Sequence, residues 1–60
     1  MNKRWFVRVV WASGESVIFS KDGKRMLFKS KTKADDLVGL IKTIYPDSQY
    51  RSITCEEWLL

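Results

Sequence analysis

The segment Arg4–Ala12, RWFVRVVWA, limits the possible folds more than any other stretch. Side chains alternate across a strand, so Trp5, Val7, Val9 and Trp11 share one face, and Arg4, Phe6, Arg8 and Val10 share the other. The first face is wholly apolar and needs a second layer over it. The other alternates cations with apolar groups. A strand of this kind suits an interior position, with a neighbour on each edge.

Little else is available to build a core. A 60-residue chain buries only about 60% of its unfolded surface, and its net stability is expected near 3–5 kcal/mol. The composition is 45% hydrophobic, with three Trp, three Phe and two Tyr, which is the composition of a folded chain rather than a disordered one. We expect one domain over residues 1–60. Apolar runs are too short to span a membrane, and no uninterrupted apolar segment follows the basic start, so no secretory signal is expected. Cys55 is the single cysteine. It has no internal disulfide partner, which fits a reducing, cytoplasmic setting. Histidine is absent, and with it the commonest general base and metal ligand.

Turn residues divide the rest of the chain. Ser13-Gly14-Glu15 is a short turn, and Ser16–Ser20 (SVIFS) is a second strand. Asp22-Gly23 suits the tight turn of a hairpin, which leaves Arg25–Lys29 (RMLFK) as a third strand. Met26 and Phe28 then share one face; Arg25, Leu27 and Lys29 share the other. Ala34, Leu37, Val38, Ile41, Ile44 and Tyr45 follow with the spacing of one helix face. Ser30 and Thr32 compete as N-cap. With Thr32 as the cap, Asp35 completes a capping-box-like pair, and Asp35 and Asp36 fall in the first turn. Pro46 ends the helix. Gly39 weakens its middle, and a close approach to the sheet would account for it. Gln49–Trp58 reads as a last strand, with Ile53 and Cys55 inward. A strand–helix–strand unit leaves that strand parallel to the third. Beside the first strand, it would run parallel to that one too. The expected fold class is α+β, in the order β-β-β-α-β: a twisted, mixed and mostly antiparallel sheet with one helix on one face.

Charge is unevenly distributed. Residues 1–33 hold nine cations and two anions, a balance of +7; residues 34–60 hold two cations and five anions, a balance of −3. That asymmetry suits a polyanion or an acidic protein as partner of the first half, although solubility alone also explains surface charge.

Trp5 in RWFVRV, Asp22, Gly23, Lys24 and Arg25 in DGKR, and Phe28, Ser30, Lys31 and Ala34 in FKSKTKA together resemble the arm-type DNA-binding domains of tyrosine recombinases. That resemblance covers about the first two-thirds of the chain. It implies a three-stranded sheet whose face opposite the helix meets the DNA major groove. The stretch Gln49–Leu60 departs from the pattern, and a recombinase catalytic domain behind it is not expected. What the resemblance implies is therefore a stand-alone relative, not an integrase.

Arg4, Phe6, Arg8, Arg25, Leu27 and Lys29 are expected on the sheet face away from the helix. Three readings of that face stand together. Its cations neutralise phosphates while Phe6 packs on a sugar or base; or basic stems merely shield apolar neighbours; or the face meets protein, including a second copy. Lys21, Lys24 and Arg25 line a hairpin that either enters a major groove as a ribbon or is simply solvated. Lys29, Lys31 and Lys33 flank a helix N-terminus, which attracts anions, but without a Gly-rich cradle. Asp35-Asp36 and Glu56-Glu57 do not form a catalytic dyad, and Cys55 reads as a buried small hydrophobe. Trp58-Leu59-Leu60 is expected to close the core beside Trp5 or Trp11.

The expectation is a small non-enzymatic binding module with no cofactor or metal. Its binding residues are Arg4, Phe6, Arg8, Lys21, Lys24, Arg25, Lys29 and Lys31, and its partner is nucleic acid, DNA by the resemblance. The alternative is a protein-binding accessory, an inhibitor or adaptor of the kind that phages and mobile elements carry, which docks an acidic partner or forms a homodimer. No membrane partner is expected.

Overall fold

In the computed structural model, which describes residues 2–59, the apolar alternation of Trp5, Val7, Val9 and Trp11 becomes the middle of the sheet. Strand β1 (Lys3–Trp11) pairs antiparallel with β2 (Ser16–Ile18) on one edge and with β5 (Tyr50–Leu59) on the other. Helix α1 (Lys31–Ile44) packs on the face carrying that alternation. Val7 and Ala34 are fully buried at the contact, joined by Val9, Ile41 and Ile53. Trp5, Trp11, Val17, Phe19, Phe28, Leu37, Val38, Tyr50 and Cys55 pack around them, half-buried. The fold is α+β, as the sequence indicates, and Ile53 and Cys55 do face inward.

The segment after β2 departs from a simple meander. Ser20–Lys21 (β3) and Lys24–Arg25 (β4) form a separate two-stranded hairpin. Its turn residues Asp22 and Gly23 have φ of 54° and 78°, the paired positive values that a tight Asp-Gly hairpin turn requires. At its base, the Met26 N–H donates to the Phe19 carbonyl at 3.1 Å. Phe19 and Phe28 both hydrogen-bond to the β2 side of β1: the Phe19 N–H donates to the Val7 carbonyl at 2.9 Å, while Trp5 and Phe28 exchange two bonds of 2.8 Å. The hairpin is thus an insertion in one continuous edge that runs from Ser16 to Phe28.

This insertion corrects two expectations. Arg25–Lys29 is not a third strand, since Phe28 alone bridges to β1. β5 is antiparallel to β1, not parallel. The last strand does share the direction of the segment before the helix, since Phe28 and β5 both run opposite to β1, but that segment is a single bridge and not a strand. Extended segments on the same edge share a direction, so the hairpin reverses no strand of the main sheet.

Helix α1 begins one residue after Ser30, whose backbone is extended (φ −122°, ψ 134°) and whose hydroxyl makes no capping bond. Thr32 therefore lies inside the helix. The first turn holds no acid, which displaces Asp35 and Asp36 from the position expected of them. Asp35 instead pairs with Lys31 at 3.0 Å, one turn back. At the other end Tyr45 turns extended before Pro46 while its N–H still reaches the Ile41 carbonyl at 3.0 Å. Its ring meets Trp11 edge-on at 5.3 Å. Ile44 was expected on the buried face but is 60% exposed. It is the last residue of the helix, where the chain turns extended at Tyr45 before Pro46. A single 3-10 turn, Asp47–Gln49, leads into β5, and there the Tyr50 hydroxyl donates to Asp47 Oδ1 at 2.9 Å.

Gly39 marks no close approach. It is exposed, and a methyl group placed there meets nothing within 4 Å. Gly39→Ala is therefore expected to stabilise the chain by about 0.5–1 kcal/mol. Ile41→Ala, two residues on but 4% exposed, should cost about 2–4 kcal/mol, most of the total stability. Urea unfolding followed by circular dichroism checks both. A destabilised Gly39→Ala, or an Ile41→Ala that unfolds like the parent, would contradict this packing.

Candidate polyanion-binding surface

The face of the sheet away from α1 is built by strand parity. Arg4, Phe6, Arg8 and Val10 of β1 stand opposite Trp58, Glu56, Thr54 and Ser52 of β5. Phe6 lies in the middle of this face but is only 4% exposed. Trp58 meets it edge-on at 5.8 Å, and the Arg8 guanidinium lies 5.6 Å from its ring centre. Arg25, arriving from the inserted hairpin, stacks on Trp58 at 4.4 Å. That reach spans the width of β1, because the hairpin leaves one edge and Trp58 sits on the other. Arg25 therefore ties the hairpin across the reverse face.

Two expectations change here. Phe6 is not displayed to water between cations, and burial leaves its ring no free face for a sugar or base. Trp58 does not close the main core beside Trp5 or Trp11; it forms a second, small aromatic cluster on the reverse face. Leu59 is 65% exposed, and Leu60 lies outside the described residues. Ser52, Thr54, Glu56 and Trp58 are the members of this face that the sequence reading missed. The signal was present: once Ile53 and Cys55 point inward, period-two alternation sends Thr54, Glu56 and Trp58 to the other side.

The cations fall into two groups. Arg8 is held in place: its Nε donates to Glu56 Oε2 at 2.8 Å and its Nη1 to Ser16 Oγ at 3.0 Å, while Thr54 Oγ1 donates to the same Glu56 oxygen at 3.1 Å. Lys3 pairs with Glu57 at 3.4 Å and Lys31 with Asp35 at 3.0 Å. Hydrogen bonding to Asp35 and its charge hold the Lys31 amine above its ordinary range. Among the described residues, Arg4, Lys21, Lys24, Arg25, Lys29, Lys33, Lys42 and Arg51 have no carboxylate within ion-pair distance. All but Arg4 are exposed. Lys42 lies in the last turn of α1 and Arg51 near the start of β5, while the other six fall between Arg4 and Lys33 in the chain. Arg4 is near the start of β1, the hairpin branches from the edge between Phe19 and Phe28, and Lys29 and Lys33 flank the first residues of α1.

The hairpin tip carries Lys21 and Lys24 on either side of the turn residue Asp22, and neither lysine forms an ion pair among the described residues. Lys21 and Lys24 are direct cross-strand partners, and like charges in that position repel. A two-stranded ribbon closed by a tight turn keeps the two lysines paired across the strands in spite of that repulsion.

Cys55 sits under the first turns of α1. Burial, then the neighbouring Asp35 carboxylate, push its thiol above the ordinary range. Among the described residues no three of Cys, Asp and Glu gather to hold a metal ion, and no helix is long and apolar enough to cross a membrane. Comparison of the chain with family models, curated proteins and solved structures finds no match.

Two measurements follow. Phe6→Ala should destabilise the chain by about 3 kcal/mol or more in denaturant titrations, as a buried aromatic does; a neutral substitution would return Phe6 to the surface. At neutral pH the raised thiol pKa keeps Cys55 protonated, so iodoacetamide should alkylate it more slowly than a free cysteine. Alkylation at the free-thiol rate would contradict its burial beneath α1.

Proposed function

We propose that this chain is a non-enzymatic nucleic-acid-binding module whose contact surface is the inserted hairpin together with Arg4 and Lys29 beside it. One observation carries this reading: Lys21 and Lys24 face each other across a hairpin tip with no carboxylate in ion-pair range. Phosphates relieve such repulsion and release their counterions when they bind. A two-stranded ribbon also has the width to enter a major groove. Arg25 contributes chiefly by fixing the ribbon on Trp58, and Arg8 is taken up by Glu56. The role of Phe6 in this reading is to support the face, not to contact the ligand. The likeness of DGKR and FKSKTKA to recombinase arm-type domains points to double-stranded DNA as the first substrate to try.

A second reading, a protein-binding accessory such as an inhibitor or adaptor, has an observation of its own. An apolar groove of about 190 Å³ opens between α1 and β2, lined by Val9, Trp11, Val17, Phe19, Ile41 and Tyr45. Co-purification with and without nuclease separates the two readings.

Binding to a short fluorescent duplex should weaken steeply as salt rises. Lys21→Glu with Lys24→Glu should reduce affinity at least ten-fold and lower the magnitude of the salt slope by about 2, near 0.9 for each lost phosphate contact. Circular dichroism is expected to be unchanged, since both residues are exposed. Salt-independent binding, or no binding to either duplex or single strand, would reject the reading.

A further inference from the structure

The sheet has a long open edge. β5 runs ten residues and pairs only with β1. Backbone direction alternates along an antiparallel ladder. Trp5 spends its N–H and C=O on Phe28, so Arg4, Phe6, Arg8 and Val10 turn theirs towards β5. Their partners Trp58, Glu56, Thr54 and Ser52 point back to β1, and Ile53, Cys55 and Glu57 present N–H and C=O groups outward. No hydrogen bond among the described residues reaches those outward groups. Natural edges are commonly blunted by charged side chains, lysine above all, by proline or by a bulge. β5 contains neither proline nor lysine, its charged residues are Arg51, Glu56 and Glu57, and its one irregularity lies at its first residues, opposite Val10 and Trp11.

We propose that β5 is a self-association edge, and that two copies of this chain pair antiparallel along it about a two-fold axis through Thr54, forming one six-stranded sheet. This inference is independent of the nucleic-acid reading and rests on different residues. Charge fixes the occupant and the register. A two-fold axis perpendicular to a sheet pairs residues from the same face, so only registers centred on a residue are open. Centred on Thr54, the pairing sets Arg51 against the partner copy's Glu57, and Ile53 against its Cys55, each twice. Centring on Cys55 sets Ile53 against a carboxylate, and centring on Glu56 sets that carboxylate against itself. Centring on Ile53 leaves Arg51 opposite a thiol. Arg51 is exposed and has no ion-pair partner among the described residues, while Glu57 is exposed and has only the 3.4 Å contact with Lys3. The Thr54 pair falls at a non-hydrogen-bonded position, where Cα atoms approach to about 4.5 Å, within disulfide range.

Sedimentation velocity of the full chain over a concentration series tests this. The parent should dimerise. Arg51→Glu and Glu57→Arg should each weaken the dimer by roughly ten-fold, by replacing two attractive cross-strand pairs with repulsive ones, and the double exchange should restore it. In a Cys55→Ser background, Thr54→Cys should form a covalent dimer under oxidised glutathione. Ser52→Cys, on the same face but opposite the partner copy's Glu56 in this register, should not. Circular dichroism confirms that each variant is folded. A parent that stays monomeric at its highest soluble concentration overturns the proposal. So does a dimer insensitive to the charge reversals, or one that cross-links equally at Ser52.

Discussion

Every element of this fold is positioned by the double pairing of β1. Its backbone bonds to β5 on one side, and to β2, Phe19 and Phe28 on the other. Its side chains then supply a different layer on each face: Val7 and Val9 under the helix, Phe6 beneath the Trp58 cluster. So small a chain cannot build two cores from separate elements. It builds both from one strand. The demand that RWFVRVVWA places on its surroundings is therefore the demand the whole molecule meets.

That dependence explains what could be read from the sequence. The inward set Trp5, Val7, Val9 and Trp11 follows from a period of two, which no tertiary detail alters, and Ile53 and Cys55 follow likewise. The tight Asp22-Gly23 turn is a local backbone property and was equally legible. The sense of β5 relative to β1 was not, because it depends on whether Arg25–Lys29 forms a strand of its own or continues the edge begun by β2. A hairpin signal reads the same in a meander and in an insertion; only long-range pairing distinguishes them. The helix start shows the same limit. Thr32 with Asp35 satisfies a local rule, yet the chain leaves β1 at Phe28 and is already helical at Lys31, so Asp35 falls too late to cap.

The candidate site was half legible for a related reason. Composition and order along the chain locate the positive charge, and most of the cations left unpaired among the described residues fall between Arg4 and Lys33. Which cations are neutralised depends on cross-strand partners, and those follow from the register of β5. Arg8 was expected to be free but meets Glu56 because Glu56 stands opposite Phe6, one position along. Phe6 was expected in water but is covered because an inserted hairpin delivers Arg25 to Trp58. The reverse face is thus a shallow second core with a charged rim, where Arg8 is neutralised while Arg4 and the ribbon's Lys21, Lys24 and Arg25 have no carboxylate in ion-pair range among the described residues.

The two proposed surfaces are geometrically compatible, and the symmetry of the strand pairing shows why. A two-fold axis perpendicular to the sheet keeps both helices on one side and both reverse faces on the other. In the proposed dimer the two Trp58-anchored ribbons would project from opposite ends of the same face, since each branches from the outer part of its own half-sheet. A polyanion lying along that face could meet both, and tethering the second contact to the first raises its effective concentration without any new interaction. The coupling is conditional on rigidity. Arg25 on Trp58 links the ribbon to β5, the strand of the proposed dimer edge, and together with the backbone bonds at the ribbon's base it sets the angle between the two surfaces. Loosening that stack would leave each surface intact in isolation while removing the fixed spacing that lets them act together.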